Sequence, residues 1–449
     1  MIASFIHKPD VNAPLIALYC DKDSSRLHYT CDFIFNQVLN INYKYLNNLQ
    51  PFQAYAGPKI NLSANQTDAP LQILLQDFIF DTALSDAAFC LIQQGNRIVL
   101  MQESSKTQKK IELDLFSSVF YFISRHEEWC SQQPDQHGRF ELKASILYNN
   151  HLYLKPLLDI WINDLKVQIE MAFPEIKLPE KKFQIISTID IDNVFAFKGK
   201  PLVRSVGGLV KDLLRLNFVG FTHRLQTLLF QKKDPFDIYD EVSEFCFKQH
   251  IPLCYFFLFK TGTKYDRSLD PAAKAYQGVF EDIKKHQAHI ALHPSYHSAF
   301  DFGLLKHEKE CLEKRSAQNI QMSRQHFLRF DIKSTPHLLI QQGIKVDFTM
   351  GFASAPGFRA GTSHPFYYYD FHTEKATELI MLPFCAMDGA YTHYSPMPAN
   401  KAFESMLALG QEIKNVGGYF TFVYHERSFY NHLYKDYGDL YKKIILALK

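Results

Sequence analysis

The sequence predicts an α/β protein built from two domains. Its 449 residues exceed what one small core accommodates. Hydrophobic residues make up 47% and charged residues 21%, an ordinary globular composition. From Lys182 onward, short apolar runs alternate with amphipathic stretches, the pattern of a parallel sheet covered by helices. An open sheet and a barrel share that pattern, and in both the chemistry sits at the C-terminal ends of the strands.

Residues 1–110 read as a small mixed α/β domain. Its apolar runs Leu15–Tyr19, Ile73–Phe78 and Arg97–Met101 are broken by Asn, Asp and Gly. Residues 111–181 read as a helical connecting region. Leu115, Val119, Phe120, Phe122 and Ile123 recur at helical spacing between Ile111 and Glu128, and a second helix is expected around Leu154–Phe173. Pro174 and Pro179 then punctuate the chain. Residues 182–449 form the main block. Its predicted strands are Phe183–Ile189, Ile251–Phe259, His289–Leu292, Ile344–Phe348, Glu378–Pro383 and Tyr419–Tyr424. Its predicted helices include Asp237–Gln249, Leu304–Gln318 and Ala402–Lys414.

Charge excludes one class of partner. Lys and Arg total 49 against 47 Asp and Glu, which leaves no basic field for nucleic acid. No apolar run approaches the length of a membrane span; Ile251–Phe259 is the strongest and suits a buried strand. The N-terminus has no cationic start before an apolar stretch, so no secretory signal is expected. The eight Cys form no Cys-x-x-Cys pair, which points to reduced thiols rather than a zinc ribbon or redox motif. The expected location is the cytoplasm. The sequence implies no organic cofactor and does not set the oligomeric state.

Candidate chemistry falls at three strand ends. The first strand runs into Thr188-Ile189-Asp190-Ile191-Asp192, and alternation puts Asp190 and Asp192 on one face. The strand ending near Leu292 runs into His293-Pro294-Ser295-Tyr296-His297, two imidazoles four residues apart. His289 and His293 share that spacing, but a structural role inside the strand suits His289 better. The last strand ends at His425, a position suited to proton transfer. One Asp and two His supply three ligands and leave a position open, as catalytic zinc sites require.

With these residues in place the sequence resembles the polysaccharide deacetylase family, also called the NodB-homology family. The matching residues are Thr188-Ile189-Asp190 with Asp192, then His293 and His297, then His425. Ser124–Glu128, Asp135–Phe140, Arg324–Phe330, Gly357–Thr362 and Met387–Gly389 are similar to a cytoplasmic bacterial branch with an extra N-terminal domain. The resemblance implies a distorted (β/α) barrel behind a smaller mixed α/β domain. It implies Asp190 as general base, with Asp192, His293 and His297 holding a divalent metal: zinc, or cobalt, nickel, manganese or iron. It implies His425 as general acid tuned by Asp388, and Arg324 or Arg329 orienting Asp190. His326, Arg359 and His364 are candidates to line a sugar site. The sequence departs from the family where Ile191 splits the Asp pair, where Pro294 enters the His motif, and where Arg-Gln-His-Phe-Leu-Arg replaces Arg-x-Pro.

The function so implied is hydrolytic removal of an N-acetyl group from a carbohydrate, with a bell-shaped pH profile. A metal hydrolase of another amide or ester would carry the same residues. A carbohydrate-binding or scaffold protein on an inactive deacetylase fold is the other alternative.

Overall fold

The computed structural model describes residues 9–449 apart from 86, 104–109, 132, 133, 181 and 261; the stretch read for a leader, residues 1–8, lies outside them. The chain divides into two compact units. The first comprises Met1–Gln184, Phe358–Pro383 and Glu412–Tyr419; the second comprises Ile185–Gly357, Phe384–Gln411 and Phe420–Lys449.

In the first unit the run Leu15–Tyr19 forms a strand whose last four residues are buried. It pairs in parallel with Asn42–Leu46 on one side and Lys59–Asn61 on the other, and Lys59–Asn61 pairs with Leu71–Gln72. Ala17 and Tyr19 of the first strand pack against Phe52 of the helix Leu49–Ala54. Ala88–Gln94, Arg97–Glu103 and Lys110–Glu112 form a separate antiparallel sheet. Its tight turn passes through Gly95 at φ +60°, where a Cβ would be strained.

The helical periodicity between Ile111 and Glu128 resolves into two helices, Leu115–Ile123 and His126–Cys130. Asp114 caps the first by accepting from Ser117 N at 3.0 Å. The break comes at Arg125, which adopts φ +57°. That conformation costs roughly 1–2 kcal/mol for a residue with a Cβ. It is offset by a buried charge cluster: Arg125 donates to Glu128 at 2.7 and 2.9 Å and to Glu127 at 3.0 Å, and Arg359 donates to Glu128 at 2.7 and 2.8 Å. The helix Leu157–Ala172 meets the returning segment through Leu158 N, which donates to Gly361 O at 2.9 Å.

In the second unit the strands neighbour one another in the order Val346–Asp347, Met322–Ser323, His289–His293, Leu253–Leu258, Phe183–Ile191, Gly418–His425, Ala386–Met387. Leu253–Leu258, the most apolar run of the sequence, is central and buried throughout. It pairs in parallel with Phe183–Ile191 and with His289–His293. Parallel strands bring their C-terminal ends to one edge, and that edge holds the site. Strand order alone describes a row, not a ring.

Among the described residues no disulfide joins the eight cysteines, and Cys20, Cys31, Cys246, Cys254 and Cys385 are buried. Among the described residues no helix is long and apolar enough to cross a membrane.

One buried histidine makes the fold acid-sensitive. His126 is ringed by Phe78, Phe89, Tyr121 and Phe371, and burial pushes its imidazole down to about 4. The unfolded chain takes up that proton near pH 6.5. Its contribution is therefore complete above about pH 6.5 and is lost as pH falls toward about 4, a loss of order 3 kcal/mol. His126→Phe should flatten this part of the stability–pH curve, measured by urea unfolding at several pH values. An unchanged curve would contradict the assignment.

Candidate metal centre

The strand Phe183–Ile191 carries Asp190 near its end and places Asp192 just beyond it. Both carboxylates approach one imidazole: Asp190 Oδ2 lies 3.8 Å and Asp192 Oδ1 3.6 Å from His293 Nε2. His293 is the last residue of its strand and is 2% exposed. A second imidazole arrives after Met322–Ser323, where His326 Nε2 lies 3.5 Å from Asp192 Oδ1. The ligand atoms of Asp192, His293 and His326 all fall within 4.8 Å of one another.

Both rings are held from behind. His293 Nδ1 donates to the Arg324 carbonyl at 2.5 Å, and His326 Nδ1 donates to Asp266 Oδ1 at 2.9 Å. Each partner oxygen can only accept, so each Nδ1 carries a proton and each ring turns its Nε2 toward Asp192. Asp192 Oδ2 accepts from Arg427 Nη1 at 2.6 Å. Asp192 Oδ1 is buried and has no hydrogen-bond partner among the described residues. Burial pushes the His293 imidazole down to about 4, so it is neutral at pH 7. Burial also opposes the Asp192 charge, but the Arg427 guanidinium beside it outweighs that and holds the carboxyl well below its usual range. One carboxylate oxygen and two imidazole Nε2 atoms thus converge. That donor set fits a divalent transition metal.

His297 does not join this set. Ser295 N and Oγ are held by Glu308 at 2.9 and 2.6 Å, and Tyr296 N donates to Asp266 at 3.0 Å. Tyr296 stacks on Tyr265 at 3.9 Å, and His297 faces solvent. His326, from another strand end, occupies the position expected for His297.

Asp190 has a separate environment. Its Oδ1 accepts from Arg324 Nη1 at 2.6 Å. Arg324 is fully buried, donates from Nη2 to Thr188 Oγ1 at 2.9 Å and from Nε to Phe348 O at 3.1 Å, and lies 4.4 Å from the Phe256 ring centre. Arg329 instead donates to Tyr296 O at 2.7 Å and lies over the Tyr296 and Phe300 rings. The arginine that meets Asp190 is therefore Arg324.

His425 ends the strand Gly418–His425. Its Nδ1 lies 2.6 Å from Asp388 Oδ1, its backbone N–H donates to Asp388 Oδ2 at 2.8 Å, and the Ser428 hydroxyl donates to the same oxygen. Burial opposes the imidazolium, but the Asp388 carboxylate outweighs it and pushes His425 up to about 9. Glu426 accepts from Asp192 N and Asn193 N, each at 3.1 Å. Burial and the nearby Asp192 push its carboxyl up to about 8.

The remaining candidates lie elsewhere. His289 opens its strand half-buried. Arg359 and His364 belong to the first unit, where Arg359 is held by Glu128 and His364 by the Gly417 carbonyl at 3.2 Å. Sequence reasoning passed over Asp266, Glu426 and Arg427. The last two follow the strand-end His425 directly, a position that marks them; Asp266 sits in a loop with no such signal.

Comparison with known proteins adds little to this geometry. Residues 16–174 match a family model described as a family of unknown function, DUF7033. No curated protein matches the chain by sequence. A Mycobacterium smegmatis protein provisionally described as a polysaccharide deacetylase is 14% identical, with a TM-score of 0.39, over 60% of this chain and 85% of that one. A Bacillus cereus polysaccharide deacetylase is 8% identical, with a TM-score of 0.28, over 60% of this chain and 87% of that one.

The Asp388–His425 pair is open to direct measurement. A folded-state pKa raised above about 6.5 stabilises the fold fully below that pH and is lost as pH rises through about 9. In Asp388→Asn the His425 midpoint, followed by imidazole NMR, should fall by at least about one unit. A midpoint that stays near 9 would show that Asp388 is not its cause.

Proposed function

We propose that this chain is a metal-dependent hydrolase that removes an N-acetyl group from a sugar. The observation that carries the reading is the unpartnered Asp192 Oδ1, buried opposite two imidazole Nε2 atoms, with Asp190 and His425 held nearby by their own partners. In this reading Asp192, His293 and His326 hold one divalent ion, most simply zinc; cobalt, nickel, manganese or iron fit the same donors. An ion held there supplies Lewis acidity, which polarises a carbonyl and makes water a stronger nucleophile at neutral pH.

The residues do the rest. Asp190 is the general base. Arg324 occupies its Oδ1, which leaves Oδ2 to accept the proton of the attacking water. His425 is the general acid. Asp388 occupies its Nδ1 side, so Nε2 carries the proton that goes to the leaving nitrogen. An amine leaves only when protonated, and an acid that stays charged to about pH 9 suits an amide better than an ester. Acetate and a free amino sugar are the products. The sugar rests on the motif resemblance through Thr188, Asp190, Asp192, His293 and His425.

Elemental analysis with an acetate-release assay on N-acetyl sugars tests the proposal. About one metal equivalent is expected, lost in Asp192→Ala, His293→Ala and His326→Ala and retained in His297→Ala. Asp190→Asn should keep the metal while acetate release falls about 10²- to 10⁴-fold. Metal retained in the three ligand variants, or activity indifferent to Asp190→Asn, would overturn the assignment.

A further inference from the structure

Between the metal-centre strand and the helix Tyr239–Lys248 the second unit inserts a helical hairpin, Leu202–Leu214 and Phe218–Leu229. Its helices are tied to each other by polar groups: Arg224 Nε meets Asp212 at 2.9 Å, and Asn217 caps the second helix by accepting from Gly220 N. The apolar residues point the other way. Leu202 is 79% exposed, Val203 83% and Leu214 81%, and Val206, Val210 and Leu213 are also exposed. At 100° per residue these six fall within about 120° of arc, a continuous apolar stripe turned to solvent. Leu216 in the turn, and Phe218, Val219, Leu229 and Phe230 at the two ends of the second helix, are exposed as well. Exposed Arg204, Lys211 and Arg215 share a second, polar arc that begins about 60° beyond the stripe's edge, and Lys232 and Lys233 follow the second helix.

Charge decides the occupant. Residues 198–233 contain eight Lys or Arg and a single acid, Asp212, which Arg224 neutralises; the whole chain has a net charge of only +2. A second copy would bring the same positive segment against itself. An aliphatic stripe flanked by cations matches acyl chains beneath anionic headgroups. We propose that residues 198–233 are an interfacial anchor that docks this protein on an anionic lipid bilayer. The hairpin lies in the interface plane, with its stripe in the acyl boundary and Arg204, Lys211 and Arg215 at the headgroups. The inference stands apart from the hydrolase reading, because nothing in it depends on the metal centre.

Co-sedimentation of the full chain with vesicles tests it, using pure phosphatidylcholine and phosphatidylcholine with about 30% phosphatidylglycerol. Binding to the anionic vesicles alone, weakened by salt, is expected. The triple variant Leu202→Glu, Leu214→Glu, Phe218→Glu should lose at least about tenfold of that binding. Its altered side chains are exposed, so circular dichroism and the melting temperature should not change. Lys211→Glu with Arg215→Glu should weaken binding in the same direction. Absence of binding to anionic vesicles, equal binding to both vesicle types, or full binding by the triple variant would overturn the proposal. So would self-association of the wild type that the triple variant abolishes without any vesicle binding.

Discussion

The buried guanidinium of Arg324 organises the candidate metal centre from both sides. Its side chain fixes Asp190, and its backbone carbonyl fixes the tautomer of His293. Taking a guanidinium out of water costs several kcal/mol even after relaxation. Here Asp190, Thr188 and the Phe348 carbonyl accept from it, and the Phe256 face receives its charge. An arginine so placed is a positioning group rather than a source of stability. Removing it would leave Asp190 buried and uncompensated, at a cost of about 3–5 kcal/mol. Lysine could not replace it, because one ammonium cannot reach three acceptors in a plane.

The second constraint is the division of charge around the two aspartates. Each has its own arginine: Arg324 for Asp190 and Arg427 for Asp192. Two carboxylates near one imidazole would otherwise compete, and one would take up a proton. With one oxygen of each paired, Asp190 Oδ2 and Asp192 Oδ1 are left facing His293, and Asp192 Oδ1 faces His326 as well. The third ion pair, Asp388 with His425, is tuned the other way and keeps a proton on the imidazole. One pocket thus holds a carboxylate that stays ionised, an imidazole that stays neutral and an imidazole that stays charged. That separation of protonation states is what acid–base chemistry at neutral pH requires.

Backbone strain follows His326 directly. Phe327 and Leu328 adopt φ +60° and +53° in succession. Each such residue costs roughly 1–2 kcal/mol. The loop is over-determined by His326 N to Pro294 O at 3.0 Å, Leu328 N to Gln325 O at 2.9 Å and Arg329 N to His326 O at 3.2 Å. The Asp266–His326 contact completes the arrangement.

Much of this was legible in the chain itself. Alternation and β-branched or aromatic runs determine that Phe183–Ile191, Leu253–Leu258 and Gly418–His425 are strands, because side-chain period and burial are local properties. The same period determines that Asp190 and Asp192 share a face, and that His293 and His425 stand at strand ends. What spacing could not decide is which side chains meet. Arg324 and Arg329 are equivalent on paper; only packing against Phe256 sends one inward and leaves the other on Tyr296. His293 and His297 satisfy a metal-ligand spacing, yet bonds to Glu308 and Asp266 hold the second outward, while Asp266 and the Pro294 carbonyl hold His326 in. The helix break at Arg125 likewise depends on Arg359, more than two hundred residues away in sequence, sharing Glu128. The sequence by itself determined the elements and the kinds of chemistry at their ends. The tertiary structure alone decided the partners, because a buried charge settles where a compensating charge from a distant segment can reach it.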